Sequence, residues 1–256
     1  MISLEQSITL AMDRTDIRLV PFLPYILQDL WEIGSSPKTI IAAIEKHTTD
    51  YSNLQLLDLG CGKGAVSIQT AQKLGCHCLG IDGLQEFIQE ARIKAAEWKV
   101  QHLCRFEPGD IRLVIHELRQ FDVILLGSIS PVLGGPFDTM NLLKNHLNNN
   151  GIIILDDGYI PDQSDLIHPQ AVKKNRLLQE LQQAGMKLID ETLSEKEKIE
   201  QSNDTIFQKL VRRCHELMAK YPDQQDLFKQ YIKNQVQENE VLKNSLTGST
   251  MVIKKI

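Results

Sequence analysis

The sequence has no excess of positive charge, no long apolar run and no even set of cysteines. Each absence excludes something. Twenty-eight Lys and Arg stand against 33 Asp and Glu, a formal net charge of −5. That balance leaves no electrostatic footprint for nucleic acid or an anionic membrane, so neither is an expected partner, although a local basic patch stays open. No stretch approaches the ~18–20 apolar residues that span a bilayer. The N-terminal MISLEQSITLAMDRTDIRLV lacks the basic start and apolar core of a signal peptide, and a cytoplasmic location is expected. Five cysteines, Cys61, Cys76, Cys78, Cys104 and Cys214, are an odd number, which argues against a disulfide framework. The CHC at 76–78 falls in an expected strand, where His77 points away from both sulfurs. It also lacks a second ligand pair at zinc-finger spacing. Buried thiols are expected there, and no metal.

What is present is ample core material: 42% of residues are hydrophobic and 24% charged, ordinary for a folded α/β chain. Segments 54–59, 76–81, 102–107, 121–126 and 151–157 are short and almost continuously apolar, as strands covered on both faces require. Segments 63–74, 84–96 and 136–148 between them read as helices. NNNG at 148–151 is expected to end the third, with Gly151 turning into the next strand. Repeated strand–helix–strand units predict a doubly wound, mostly parallel sheet with right-handed crossovers. A helix over 169–184, a sixth strand over 186–193 and a seventh over 248–256 complete it. Between the last two strands, 194–245 reads as two helices, 195–220 and 223–243, broken at Pro222. Nine Lys and Arg balance nine Asp and Glu there.

The expected organisation is therefore an N-terminal helical cap (1–50), a core (51–193 and 246–256) and a helical insertion (194–245) serving as lid, substrate or dimer element. A homodimer stays open. In the cap, Ser36 and Pro37 mark a helix start. Ahead of them, 18–34 reads as a cover over the sheet in which Phe22, Tyr25 and Trp31 can line a pocket.

The most informative stretch is LLDLGCGKGAV, 56–66. Ligands of open α/β sheets bind beyond the carboxyl ends of the strands, where this strand–turn–helix lies. Gly60, Gly62 and Gly64 bring a bare backbone close to something. Gly60, Gly62 and Ala65 satisfy the dinucleotide pattern G-x-G-x-x-G/A, and Asp82 stands where an acid would hold a ribose diol. Asp58 and Gly64 add the longer form D-x-G-x-G-x-G. A pyrophosphate wants several donors at a helix N-terminus. The glycines and Asp82 alone fit either adenosine cofactor, a dinucleotide or a methyl-carrying nucleoside.

LLDLGCGKGAVSIQTAQKLGCHCLGID, followed in order by FEPGDI, FDVILLGSI and NNNGIIILDDGYI, resembles the Rossmann-like class I S-adenosylmethionine-dependent methyltransferases over about 54–193. The resemblance implies a seven-stranded sheet with an antiparallel last strand. It also implies S-adenosyl-L-methionine as cofactor, with S-adenosyl-L-homocysteine as product. Position by position, it places Asp58, Gly60, Cys61 and Gly62 at the methionine and ribose part. Asp82 and Gly83 fall at the ribose hydroxyls, Gly109, Asp110 and Ile111 at the adenine, and Gly127 and Ser128 at the methionine end.

Methyl transfer by in-line displacement mostly needs alignment and exclusion of water. A base helps where a hydroxyl acceptor must lose its proton, and Asp157 and His168 are the candidates. Asp156 and Asp157 raise the magnesium-dependent catechol-type enzymes as a rival, but those also want an acid where this chain has Gly127-Ser128. The Asn/Asp-Pro-Pro-aromatic signature of enzymes that methylate nucleic-acid amino groups is replaced by GSISP. A small-molecule acceptor is therefore expected. An NAD(P)-linked oxidoreductase and a non-catalytic adenosyl-cofactor-binding protein remain the alternatives.

Overall fold

The computed structural model describes residues 2–12, 16–129 and 131–256, and of 196–202 the helical backbone alone. Its centre is one seven-stranded sheet in the order β3-β2-β1-β4-β5-β7-β6. The strands are β1 (Gln55–Leu59), β2 (His77–Asp82), β3 (Cys104–Pro108), β4 (Phe121–Gly127), β5 (Leu147–Tyr159), β6 (Met186–Leu193) and β7 (Thr247–Lys255). The first five are mutually parallel, and β7 runs antiparallel to β5 and β6. Strand order reverses between β1 and β4, so a crevice opens above their carboxyl ends.

In chain order the helices are α1 (Leu4–Ala11), α2 (Leu23–Ile26), α3 (Pro37–His47), α4 (Ala65–Leu74), α5 (Gln85–Glu97), α6 (Ile111–Val114), α7 (Pro136–Leu143), α8 (Lys174–Gln183), α9 (Lys196–Lys220) and α10 (Gln225–Asn244). Alternate residues of the central strands feed two cores. Leu56, Val123, Leu125 and Ile154 pack against α3, α4 and α5. Leu57, Ile124, Leu126 and Ile153 pack against α7 and α8. This two-sided burial is why the strands read as continuous apolar runs rather than alternating ones. A third cluster joins Leu19, Leu23 and Ile26 to Leu84 and Phe87 of the α5 region and to Leu210, Leu217 and Phe228 of α9 and α10.

Four local expectations differ from the structure. The helix expected over 136–148 ends at Leu143, and a 3-10 turn, Lys144–His146, leads into β5. NNNG lies inside β5, where Leu147 already pairs with Phe121 and the register then slips to Val123↔Ile152. Asn148 Nδ2 donates to Asp122 Oδ1 at 2.6 Å. A Cβ at Gly151 would stand 2.8–2.9 Å from Leu147 and the Asp122 carbonyl. Gly151 thus serves close strand approach at a bulge, not a turn. The helix expected from 169 starts at Lys174, because Ile160 exchanges backbone hydrogen bonds with Val172 and Lys174, bridging to Lys173 just before it. The cover at 18–34 is a 3-10 turn, Ile17–Phe22, followed by the short α2. Pro21 and Pro24 lack the N–H that a longer helix needs. All five cysteines are free and buried, and His77 is exposed.

Candidate active site

The turn after β1 is built by its glycines. Gly60, Gly62 and Gly64 have φ of 74°, 52° and 74°. A Cβ at Gly64 would fall 2.7–3.0 Å from Phe106 and Ala91, so glycine there lets α4 begin tight against the sheet. A Cβ at Gly62, by contrast, would meet nothing within 4 Å.

Three acids surround it. Asp58 closes β1 in a buried position, 3% exposed, and accepts the Ser67 hydroxyl at 2.7 Å. Burial pushes its carboxyl up to about 7, a rise opposed by the Ser67 hydrogen bond and reinforced by the charge of Asp82. Asp82 ends β2 and accepts the N–H of Gly62 at 2.8 Å and of Leu84 at 2.9 Å. Its carboxyl is also raised by burial, against those two backbone donors. Asp110 caps α6, and its carboxyl is lowered, chiefly by the Arg112 side chain, whose Nη2 lies 2.5 Å from Oδ2. At the end of β4, Ser128 adopts φ 54°, a left-handed conformation that is strained for serine, and its N–H donates to the Asp156 carbonyl at 2.9 Å.

These elements bring together Asp58, Gly60, Cys61, Gly62, Asp82, Gly83, Gly109, Asp110, Ile111, Gly127 and Ser128 around one cavity, partly open to solvent. Trp31 lines it as well. Phe22 does not; it packs edge-on against Tyr221 and Phe228, with ring centroids 5.3 and 5.1 Å away. Tyr25 points to the insertion, donating to Glu216 Oε2 at 2.6 Å.

Asp157 and His168 line a different cavity, beside Tyr159 and the α8 start. Asp157 Oδ1 accepts the Gly158 N–H at 2.7 Å. His168 Nδ1 accepts from Gln170 N at 3.3 Å, and its Nε2 lies 3.6 Å from Glu238 of α10. The neighbouring Asp156 accepts the Thr250 hydroxyl at 2.5 Å, and burial raises its carboxyl. Among the described residues, no group of three or more His, Cys, Asp or Glu is placed to hold a metal ion.

Two elements of the site escaped sequence reasoning. Lys63, inside the glycine turn, is 1% exposed; its Nζ donates to the Leu27 carbonyl at 3.0 Å and pairs with Glu90 at 2.8 Å. Trp31 Nε1 in turn donates to the Lys63 carbonyl at 3.1 Å. The turn is thereby riveted to the N-terminal segment. Helix α1 is the other, lining the cavity with Leu4, Ser7, Ile8, Ala11 and the following Met12. Its signal was present: Ser3 and Gln6 form a capping box, readable as S-x-x-Q.

The chain matches a family model described as a methyltransferase domain over residues 50–248. Among curated relatives, a ubiquinone biosynthesis O-methyltransferase of Rickettsia typhi is 33% identical over 122 residues, covering 45% of this chain and 46% of that protein. A histone-lysine N-methyltransferase, H3 lysine-79 specific, of Emericella nidulans is 32% identical over 99 residues, 34% of this chain and 20% of that protein. The match thus spans half or less of the length of these relatives. In fold, the chain is similar to a SAM-dependent methyltransferase from Geobacter sulfurreducens crystallised with S-adenosyl-L-homocysteine. That similarity has a TM-score of 0.74 at 17% identity and covers 92% of this chain and 98% of the other.

Proposed function

Because this chain belongs to the methyltransferase-domain family, we propose that it moves a methyl group from S-adenosylmethionine to a small-molecule acceptor. The observation that carries the reading is the charge of the cavity wall. Among its described lining residues are three acids, Asp58, Asp82 and Asp110, and a single basic side chain, Lys63. That ammonium is already held by Leu27 and Glu90. Among these described residues a pyrophosphate would find no free cation, whereas a sulfonium and an ammonium find acids.

S-adenosylmethionine supplies an electrophilic methyl group on an already activated leaving group. The protein has to bind, orient and keep out water. Asp82 offers its remaining lone pairs to the ribose hydroxyls and Asp110 lies at the adenine end. Gly60, Cys61 and Gly62 let the backbone approach the methionine portion, and Gly127 and Ser128 bound the reacting end. Asp58, its buried carboxyl raised to about 7, supports the turn from beneath through Ser67. Asp157 and His168 line a separate cavity, so a hydroxyl acceptor would have to reach beyond the nucleoside site to use either as a base; an amine or thiol acceptor needs neither.

The cap, 1–50, and the insertion, 194–245, close over the acceptor. Their shared cluster around Leu23, Leu217 and Phe228 and the ion pairs of Asp29 with Arg212 and Arg213, both 2.7 Å, support their acting as one cover. A small acceptor fits a roofed cavity and the ubiquinone-pathway relative. The test is labelled methyl transfer to fractionated cell extract. Label in the small-molecule fraction is expected; label confined to protein or RNA overturns the acceptor class.

A further inference from the structure

Helix α1 has cavity, not sheet, beneath its apolar face. Leu4, Ile8 and Ala11 recur at i, i+4 and i+7 and therefore share one side. That side lines the cavity, and all three residues are only half-buried. Apolar groups in that state gain burial when a ligand arrives. Among the other elements, α1 packs chiefly against the 3-10 turn Ile17–Phe22. A Cβ at Gly83, next to Asp82, would stand 3.1–3.2 Å from Ile8 and Leu4, so the helix lies directly on the turn after β2.

Two core side chains, Arg112 of α6 and Gln170 ahead of α8, hold its ends. Arg112 Nη2 donates to the carbonyls of Ile2 and Ser3 at 3.0 and 3.1 Å. Gln170 Nε2 donates to the Leu10 carbonyl at 2.6 Å. The same Arg112 grips Asp110, Nε to Oδ1 at 2.9 Å and Nη2 to Oδ2 at 2.5 Å. The two side chains are 14% and 11% exposed, so the pair is little screened by water. A guanidinium suits this double task, because its five N–H donors sit in a rigid fork that a carboxylate fixes in place. A lysine ammonium has no such fork.

We infer that Arg112 is a positioning residue: anchored on Asp110, it latches α1 across the nucleoside end of the cavity, and cofactor release requires that latch to open. The inference rests on reading the cavity as an S-adenosyl site. Asp110 accordingly has two duties, bordering the adenine and fixing the arginine that holds the lid. Arg112 itself does not line the cavity.

The test pairs hydrogen exchange of the α1 amides in ligand-free protein with the dissociation rate of S-adenosylhomocysteine, read by tryptophan fluorescence, since Trp31 lines the cavity. In Arg112→Ala, α1 exchange and ligand dissociation should each rise about tenfold or more, the loss of one or two charge-assisted hydrogen bonds. Exchange of β4 should stay as in wild type. Arg112→Lys should fall between the two. Gln170→Ala should loosen the other end and also speed release. If Arg112→Ala fails to fold, Arg112→Lys and Gln170→Ala carry the same comparison. Unchanged α1 exchange overturns the latch, and faster exchange with unchanged dissociation overturns its control of release. Should wild type not bind S-adenosylhomocysteine, the cofactor reading fails, while α1 exchange still decides the latch.

Discussion

Asp82 holds Gly62: its Oδ2 accepts the Gly62 N–H at 2.8 Å, while Oδ1 accepts Leu84 N–H at 2.9 Å. One carboxylate thus ties the turn after β1 to the turn after β2. A carboxylate has about four acceptor sites, so two remain for a ligand diol. Asp82→Ala removes the tie and the diol contact together. S-adenosylhomocysteine affinity should fall roughly 10–100-fold by calorimetric titration, in line with ~1.5–3 kcal/mol for hydrogen bonds to a charged group. Asp82→Asn should lose nearly as much, because an amide offers fewer acceptor sites.

Asp58 makes stability depend on pH. Its folded pKa, about 7, lies above the unfolded carboxylate value of about 3.9. Between these values the unfolded state sheds a proton that the folded state keeps. The contribution is therefore fully present below about pH 4 and is lost as pH rises to about 7. In urea titrations across that window, Asp58→Asn should show a shallower fall of stability with pH than wild type. Asp82 and Asp156 shift in the same direction and keep part of the slope in the variant. Identical slopes in the two proteins would contradict the assignment.

Gly64→Ala should destabilise the protein by about 1–3 kcal/mol or more, because φ of 74° and contacts of 2.7–3.0 Å to Phe106 and Ala91 act together. Gly62→Ala, with its open side, should cost less stability and more ligand affinity. Paired denaturation and binding curves separate the two.

Lys63→Met should lower stability by about 1–3 kcal/mol. It leaves the Leu27 carbonyl without its donor and Glu90, whose side chain is 34% exposed, without its cation. Thermal unfolding checks this, with protease sensitivity of 17–31 expected to rise.

The sheet was legible because its parallel strands are buried on both faces, which leaves short apolar runs with turn residues between them. The insertion was equally plain: helices expected over 195–220 and 223–243 are Lys196–Lys220 and Gln225–Asn244. Gly151 misled because a glycine after three asparagines satisfies both a helix stop and a bulge, and the partner that decides, Asp122, is distant in sequence. The cavity residues could be found from strand-end positions, which topology alone brings together. Helix α1 was readable from its capping box at Ser3 and Gln6, but the roles of Arg112 and Lys63 were not, since they depend on backbone carbonyls at Ile2, Ser3 and Leu27 that leave no mark in the sequence.

The central claim is that the cavity is built for a cationic adenosyl nucleoside, and calorimetric titration of wild-type protein tests it most directly. Saturable one-to-one binding of S-adenosylmethionine and S-adenosylhomocysteine, weakened by Asp82→Ala, with no heat from NADH, is the predicted result. Binding of NADH without either adenosyl compound would contradict it.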